Sequence, residues 1–472
     1  MDRIAVLLAA GVGRKFWPYN EVRNKCAFPI ANKPIIRRLA EQLLETGFTR
    51  LVVVVGFEEG SIRAALRSLD QTKITYIRQA SHTPGTTTAL LGAIDSCGLD
   101  TAKSLLVAYG DTVLSTSDIK STWQQFESSG AAAAALCAPL GNERQQDWIT
   151  ASQGSKRDKG GHELRDIAGH GRGGSHRLTG VYALSAAAIP YLRSQTSCMT
   201  HVPVGGMPPQ EPDIADSIAN MIDDGIEVLM TETTGLFADI DKPWHILDAS
   251  ELVLREQGEL LSQTGSVIDP SAQIDEGADI TGLIVVGPGA RIGKRVVLEG
   301  PCWIGADANV TNGAIVGKGV MIGARTRVSD YCLVGGGSVI GNECVVGHGG
   351  EFEGVMLDRS YIYHYSEIWG VLGLAVDIGA ATVCGTLRFD DGETVHKISG
   401  RRERTSGNSN ATYFGDYTRT GVNVITQPGV KIGSYCCVGP GIVVYQDIPS
   451  HKLVLLKQDT VERDWGPERY GW

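Results

Sequence analysis

The stretch that decides the fold is residues 284–322, IVVGPGARIGKRVVLEGPCWIGADANVTNGAIVGKGVMI, in which a bulky apolar residue returns at every sixth position. The same period runs unbroken from Ile268 to Phe352. A second residue, usually a small one, stands four positions after each of these apolar residues. A period of six fits neither an α-helix nor an ordinary strand, but it suits a coil of short strands joined by tight corners. The pattern predicts a solenoid with three flat sides per turn, its large residues inside.

The repeat is not uniform towards its end. It loses its phase around residues 358–363, is interrupted at residues 390–411, and returns over residues 432–444. The interruption is rich in charged and polar residues, among them Arg401 and Arg402. This composition predicts a loop extruded from the coil.

The length of the chain requires more than one domain. At 472 residues it exceeds an ordinary single domain, and a coil that begins near residue 266 leaves a large segment in front of it. We therefore predict a front domain over residues 1–242, a connecting helix over 243–265, the coil over 266–456 and a C-terminal tail over 457–472.

Composition and charge narrow the class of protein. The net charge of −10 argues against a nucleic-acid binder, which needs a basic face for the phosphates. No apolar run reaches membrane-spanning length, and the first residues read as a strand and not as a secretion signal. The ten cysteines include no metal-type Cys-x-x-Cys pair. These features predict a cytoplasmic protein with free thiols, no membrane contact and no nucleic-acid partner.

The front domain alternates apolar strands with helical patterns. IAVLLAA at residues 4–10 and LVVVVG from Leu51 suit buried parallel strands, and amphipathic segments follow each of them. This alternation predicts a doubly wound, Rossmann-like α/β sheet. Its ligands are expected beyond the carboxyl ends of the strands.

Two groups of residues fall at those strand ends. Residues 8–18, LAAGVGRKFWP, form a glycine loop whose amides can cradle phosphate, with Arg14 and Lys15 inside it. Asp111 follows another strand directly after Gly110, where a carboxylate can hold Mg²⁺ on phosphate oxygens. Together they predict a site for a phosphorylated ligand.

The longer stretch LAAGVGRKFWPYNEVRNKCAFPIANKPII, residues 8–36, resembles the signature of the sugar-1-phosphate nucleotidylyltransferases. The resemblance implies transfer of a nucleotidyl group from an NTP to a sugar 1-phosphate, with release of pyrophosphate and with Mg²⁺ as cofactor. It implies that Lys15 and Lys25 are catalytic, and that Asp111 and Asp239 bind the metal, with Asp241 as the alternative to Asp239. The nucleotide-binding residues that it implies are Ala10, Gly11, Gly13, Arg14, Gln79, Gly85 and Thr86.

The sequence also departs from that family. Arg14-Lys15 stands where the family usually has Thr-Arg, and a lysine lacks the two-pronged contact of a guanidinium. The family's acceptor-side residues have no clear match, so the base and the sugar stay unassigned. An alternative is therefore a catalytically weak, nucleotide-sugar-binding regulator or a trimeric assembly scaffold.

The coil carries a second resemblance. With the segment YIYHYSEIWG and the order of domains, it resembles the bifunctional N-acetylglucosamine-1-phosphate uridylyltransferase/glucosamine-1-phosphate acetyltransferases. The resemblance implies a left-handed β-helix, a homotrimer, His364 as catalytic base, acetyl-CoA as a second co-substrate, and an acyl-CoA site with Ala381, Arg401 and Arg402. However, residues 329–358 contain no Lys or Arg to grip a sugar phosphate. Whether acyl transfer is retained stays open.

Overall fold

The computed structural model describes residues 3–79, 85–141, 148–157, 160–169, 174–194, 211–405 and 407–467. Within these residues, no helix combines the length and the apolar composition needed to span a membrane. Every cysteine among them is a free thiol, as expected. The strands and helices of the front domain and the connecting helix are β1 (Ile4–Ala9), β2 (Pro29–Ile30), β3 (Lys33–Pro34), α1 (Ile35–Glu45), β4 (Arg50–Val55), α2 (Glu59–Leu66), β5 (Ile74–Arg78), α3 (Thr86–Cys97), β6 (Ser104–Tyr109), β7 (Thr112–Leu114), α4 (Thr116–Ser129), β8 (Ala133–Pro139), β9 (Ile149–Lys156), β10 (His162–Gly169), β11 (His176–Ser185), α5 (Ile189–Arg193), α6 (Ile214–Asp223), β12 (Val228–Glu232), β13 (Phe237–Asp239) and α7 (His245–Thr264).

The core of the front domain is a nine-stranded sheet in the order β5-β4-β1-β6-β11-β8-β12-β10-β9. Strands β5, β4, β1 and β6 are parallel, as the continuous apolar runs predict, and buried aliphatic residues cover both faces of the sheet. The antiparallel β11 lies beside β6, so the sheet is mixed and not purely parallel. The carboxyl ends of β1 and β6 are neighbours, which places the glycine loop next to Asp111.

The coil is built from short parallel strands that stack in three faces. Through its first turns each strand residue pairs with the residue 18 positions later, for example Val267 with Val285 and Gln273 with Arg291, so three six-residue sides make one turn. Its strands, including those of its insertion, are β14 (Val267–Ile268), β15 (Gln273–Ile274), β16 (Asp279–Thr281), β17 (Ile284–Val286), β18 (Arg291–Ile292), β19 (Val297–Glu299), β20 (Cys302–Ile304), β21 (Asn309–Val310), β22 (Ile315–Val316), β23 (Val320–Ile322), β24 (Arg327–Val328), β25 (Leu333–Val334), β26 (Val339–Ile340), β27 (Val345–Val346), β28 (Glu351–Met356), β29 (Tyr361–Ile362), β30 (Glu367–Leu372), β31 (Asp377–Ile378), β32 (Val383–Cys384), β33 (His396–Ile398), β34 (Arg401–Glu403), β35 (Thr412–Phe414), β36 (Arg419–Thr420), β37 (Ile425–Thr426), β38 (Lys431–Ile432), β39 (Cys437–Val438), β40 (Val443–Val444) and β41 (Leu453–Val454).

The six-residue beat does fill the interior of the coil. From Val286 onward the apolar residues at every sixth position are buried in one continuous cluster. The small residues four positions after them, such as Ala290 and Ala308, are fully buried beside them. At the open first turn, by contrast, Ile268 is exposed because no earlier turn covers it. The apolar cluster supplies the main stabilisation of a repeat that contacts only its neighbours along the coil.

The two irregularities of the repeat have different structures. Where the phase is lost, residues pair 16 positions apart, as Val345 does with Tyr361 and Tyr361 with Asp377, so two successive turns are each shortened by two residues. At the insertion, Asp377 pairs with Arg419, and the part of the chain between β32 and β35 leaves the coil. It is not a plain loop, because β33 and β34 form an antiparallel hairpin across residues 399–400, which both have positive φ.

The front domain packs directly on the coil. Tyr19 donates its phenolic hydrogen to the carbonyl of Val371 over 2.8 Å, and Arg23 forms an ion pair with the buried Asp416. The helix α7 runs between the two parts. The apolar residues of this junction include Phe16, Phe28, Trp244 and Ile246 from the front half and Val339, Val355, Leu357, Ile398 and Tyr413 from the coil.

Candidate active site

The glycine loop after β1 is held by Asn24. The side-chain amide of Asn24 donates to the carbonyl oxygens of Ala9 and Gly11 over 3.0 and 3.1 Å, and its oxygen accepts from the amide of Cys26 over 2.9 Å. Gly13 has φ +64°, and a Cβ there would lie 3.2 Å from Cβ of Lys25. The loop therefore needs glycine at this position, both for its backbone angle and for the close approach of Lys25.

Lys25 is a buried cation at the centre of the site. Its Nζ lies 2.6 Å from a carboxylate oxygen of Asp111 and 3.6 Å from one of Asp241, and only 9% of the residue is exposed. Burial alone would lower the pKa of Lys25, but the negative charges of Asp111, Asp241 and Asp239 outweigh it and raise the pKa above its usual value. Lys25 is thus charged at any physiological pH.

Three aspartates from two distant segments converge here. β13 pairs with β7 so that Asp239 lies opposite Thr112, and the amide of Ile240 donates to the carbonyl of Asp111 over 3.1 Å. Burial, helped by the charge of Asp111, raises the pKa of Asp239 to about 7. Burial also opposes ionisation of Asp241, but Lys25 and then Lys15 outweigh it and hold the pKa of Asp241 well below its usual value.

A cavity of about 200 Å³ opens beside these charges. Tyr109 and Glu211 also line it, and neither follows from the sequence patterns. The hydroxyl of Tyr109 lies 3.1 Å from Oγ1 of Thr86, which accepts from the amide of Ile214 over 3.0 Å. The residues implied by the resemblance that line this cavity are Ala10, Gly11, Gly13, Lys25, Gln79, Gly85, Thr86 and Asp111.

Arg14 and Lys15 lie outside that cavity. They form a short 3₁₀ turn just beyond the glycine loop, and both are exposed. Lys15 reaches back to the site, since its Nζ lies 3.2 Å from Asp241. Both Arg14 and Lys15 line a separate groove shared with the coil. Asp241, the less favoured of the two metal candidates, is therefore the carboxylate that contacts both lysines.

The donor set suits a divalent cation that is shared with phosphate. Among the described residues, no three His, Cys, Asp or Glu side chains form a metal centre of protein ligands alone. Mg²⁺ commonly binds one or two carboxylates and completes its shell with water and phosphate oxygens. Burial, and then the charge of Asp111, raise the pKa of Asp239, and a cation bound between the two carboxylates would relieve both effects.

The histidine of the coil has different surroundings. His364 is exposed at a corner, and the ring centroids of His348, Tyr363 and Tyr365 lie 6.3 to 6.4 Å from its own. No acid in the described part of the chain pairs with it. The amide of Ala381 donates to the carbonyl of His364 over 2.9 Å, so this amide serves the coil and is not free to meet an oxyanion.

The hairpin with Arg401 and Arg402 lies against the front domain. Glu403, its next residue, forms an ion pair of 2.6 Å with Lys242, and Ile398 is buried in the junction. Both arginines are exposed. Their position beside the front domain was not foreseen from the sequence, which predicts only an extruded loop.

Comparison with known families covers both halves of the chain. Residues 5–177 match the MobA-like NTP transferase domain, and residues 263–370 match the GMPPB C-terminal domain.

Individual relatives align over nearly the full length. The bifunctional protein GlmU of Methanococcus maripaludis (strain C7) is 29% identical over 464 residues, covering 97% of this chain and 98% of that protein. The bifunctional sugar-1-phosphate nucleotidylyltransferase/acetyltransferase of Sulfurisphaera tokodaii is 26% identical, covering 94% and 98%. A crystal structure of UDP-glucose pyrophosphorylase complexed with UDP-glucose covers 54% of this chain and 100% of its own, with a TM-score of 0.46 and 18% identity. The similarity in sequence thus spans the front domain, the connecting helix and the coil.

Proposed function

We propose that this protein, which is similar along nearly its whole length to bifunctional sugar-1-phosphate nucleotidylyltransferase/acetyltransferases, is itself a sugar-1-phosphate nucleotidylyltransferase. The observation that carries the proposal is the buried Lys25, held among three aspartates at the edge of a cavity that the glycine loop lines. Isolated buried charges are costly, so a cluster of this kind marks a functional site.

The reaction joins two anions. A phosphate oxygen of the sugar 1-phosphate attacks the α-phosphorus of the NTP, the bond to the β-phosphate breaks, and pyrophosphate leaves. The exposed amides of the loop at Gly11 would hold phosphate oxygens, and Lys25 would stabilise the negative charge that accumulates around the α-phosphorus. Lys15 lies on the far side of Asp241, where it would meet the leaving pyrophosphate.

A divalent cation would be held by Asp111 together with Asp239, or with Asp241 as the alternative. When bound, Mg²⁺ would neutralise phosphate charge and orient the triphosphate. Because Lys25 is the counter-ion of Asp111, the same carboxylate would fix both the lysine and the metal.

Pyrophosphate release tests this function. We would incubate the full chain and MgCl₂ with each common NTP and a panel of sugar 1-phosphates. At least one pair should release pyrophosphate, and Asp239→Asn should lower that rate by about 100-fold or more, because it removes a carboxylate that would hold the Mg²⁺ against the phosphates. Asp70→Asn, a surface aspartate that caps a short turn, is the matched control and should keep the wild-type rate. Saturable nucleotide binding without any turnover would instead favour the regulator or scaffold.

A second activity, acetyl transfer at His364, is favoured by one observation. His364 is exposed at a coil corner among three aromatic side chains, where a ligand can reach it. We propose that the coil is a left-handed β-helix and assembles as a homotrimer, in which a neighbouring coil would complete this corner. Acetyl-CoA with glucosamine 1-phosphate should then release free thiol, and His364→Ala should abolish it while His451→Ala does not. No thiol from the wild-type protein would remove this activity.

The remaining assignments belong to the same proposal. The working boundaries are the front domain at 1–242, the connecting segment at 243–265, the coil at 266–456 and the tail at 457–472. A cytoplasmic enzyme that takes NTP, sugar 1-phosphate, Mg²⁺ and, for the second activity, acetyl-CoA is consistent with the net charge of −10. Arg401 and Arg402 are exposed on a hairpin that lies beside the front domain. If they bind the phosphates of CoA, the CoA must lie beside the front domain as well.

A further inference from the structure

A second groove, with a volume of about 310 Å³, lies between the two halves of the protein. One wall comes from the front domain, with Arg14, Lys15 and Trp17. The other comes from the coil's hairpin, with Lys397 and Ser399. None of the nucleotidyl-transfer roles proposed above uses the coil side of this groove.

The hairpin is anchored firmly enough to build a site. His396 is buried, with Nε2 2.9 Å from the carbonyl oxygen of Ser409 and Nδ1 3.2 Å from Nζ of the buried Lys431. Its ring lies 4.8 Å from that of Trp244, at the start of the connecting helix. Since strand residues alternate between faces, Lys397 points away from this buried side and into the groove.

The groove is cationic. Lys397 pairs directly with Arg402 across the hairpin, so the two side chains share one exposed face. In the described part of the chain, no carboxylate forms an ion pair with Arg14, Lys397 or Arg402. Like charges held opposite each other repel and destabilise a hairpin unless an anion lies between or beside them.

Among the described residues that line the groove, the one acid is Glu21, and it already accepts several hydrogen bonds. Glu21 accepts hydrogen bonds from Nε1 of Trp17 over 3.2 Å, from the amide of Ser434 over 3.3 Å and from Oγ of Ser450. These bonds tie its carboxylate to the junction, and among the described residues it forms no ion pair with Arg14 or Lys397. Lys15 forms an ion pair with Asp241, and this contact connects the groove to the site around Lys25.

We infer that this groove binds a chain of two or more linked phosphates, held by Arg14 and Lys15 from the front domain and by Lys397, with Arg402 beside it, from the coil. Cations stand on both walls of the groove, so an anion that carries charge at both ends, such as two linked phosphates, would contact both walls. The inference goes beyond the proposed function, because such a ligand would bind here whether or not nucleotidyl transfer occurs.

Inorganic pyrophosphate, titrated calorimetrically into the full-length protein without nucleotide, is the test. We expect saturable binding that weakens about tenfold in Lys397→Gln, since a charge-assisted hydrogen bond to phosphate is lost. Lys397→Arg should restore it. Lys294→Gln removes an exposed coil lysine that does not line the groove, so the affinity should stay within about twofold of wild type, because salt screens exposed charges that do not touch the ligand.

Equal affinities of wild type and Lys397→Gln would overturn the inference, because pyrophosphate would then be bound only in the cavity beside Lys25. Lys397 is exposed, so both variants should fold, and an unchanged melting temperature checks this. Transfer activity combined with equal affinities would leave the proposed function standing and remove the groove. If pyrophosphate binding depends on Lys397 but the protein releases no pyrophosphate from any substrate pair, the groove stands and the proposed function is removed.

Competition identifies the source of the phosphates. If saturating NTP abolishes the Lys397-dependent signal, the groove takes the terminal phosphates of the substrate, or pyrophosphate as it leaves. If the signal persists with NTP bound, the groove is a separate site for a phosphorylated effector. Both results support a polyphosphate site in which the coil contributes a cation.

Discussion

The two candidate sites of this protein differ in how complete they are within one chain. Around Lys25, a buried cation lies among three carboxylates of the front domain, and burial together with the neighbouring charges shifts the pKa values of Lys25, Asp239 and Asp241. Around His364, the side chain is exposed, and its described neighbours are rings more than 6 Å away. A charged cluster costs free energy to build, which favours a functional role for the front site, whereas the coil corner has no comparable cluster among the described residues.

The sharpest test of this comparison is Lys25→Met. It leaves three neighbouring aspartates without their buried counter-ion, so we expect pyrophosphate release to fall by at least about 100-fold. We also expect the free energy of unfolding to fall by about 3 kcal/mol, the usual cost of breaking a buried ion pair. Initial rates and urea unfolding measure the two effects.

Lys33→Met is the matched control, because Lys33 pairs with Glu41 over 2.8 Å at the surface. It should change the free energy of unfolding by less than about 1 kcal/mol. Equal effects of the two substitutions would mean that Lys25 is an ordinary surface lysine and that the contrast between the sites is unfounded.

The junction between the two regions should be sensitive to acid. Burial, and then the charge of Lys431, lower the pKa of His396 to about 4. Because the unfolded histidine takes up its proton near pH 6.5 and the folded one does not, stability is fully present above pH 6.5 and is lost as the pH falls towards 4. At pH 5 the loss is about 2 kcal/mol.

Melting temperatures at pH 7 and pH 5 measure this effect. The acid-induced decrease should be smaller in His396→Gln than in the wild type, whereas His451→Gln, at an exposed coil corner, should behave like the wild type. If all three proteins lose the same stability, the junction histidine is not the acid-sensitive group.

A smaller effect is expected from Tyr19→Phe, which removes the hydroxyl that donates to Val371 across the junction. The lost hydrogen bond should cost about 1 kcal/mol and leave the carbonyl unsatisfied. Tyr331→Phe, at an exposed coil corner, should cost far less. Chemical denaturation of the pair shows whether the front domain and the coil unfold as one unit.

The smallest expected effect is that of His364→Ala on nucleotidyl transfer. The two sites share no described contact, so pyrophosphate release should stay within about twofold of wild type, the scatter expected for distant sites. A large decrease would mean that the sites are coupled and that they should not be treated as two independent regions.

Much of the fold could be predicted from local pattern. The six-residue beat fixes which residues fill the coil, and the apolar runs fix the parallel strands, because both depend on residues close in sequence. The convergence of Asp111 with the segment of Asp239 also followed, through the resemblance. The pairing of β7 with β13 now gives it a structural basis.

What could not be predicted depends on contacts between distant segments. The six-residue repeat predicts which residues point into the coil, but it does not predict which face of the coil contacts the front domain. The contacts of Tyr19 and Arg23 with the coil were therefore not foreseen. For the same reason the hairpin of Lys397 was expected only as a loop. Asn24 and Asp241 carry no pattern of their own, and only the folded chain shows that they hold the glycine loop and the two lysines.

The central claim, that the front domain performs nucleotidyl transfer through its carboxylate and lysine cluster, is tested most directly by Asp111→Asn. We would measure pyrophosphate release by the wild type and this variant side by side, with the best NTP and sugar 1-phosphate and with MgCl₂ in excess. We predict a rate at least about 100-fold lower in the variant, with its fold intact by circular dichroism. A folded variant that keeps the wild-type rate would contradict the account.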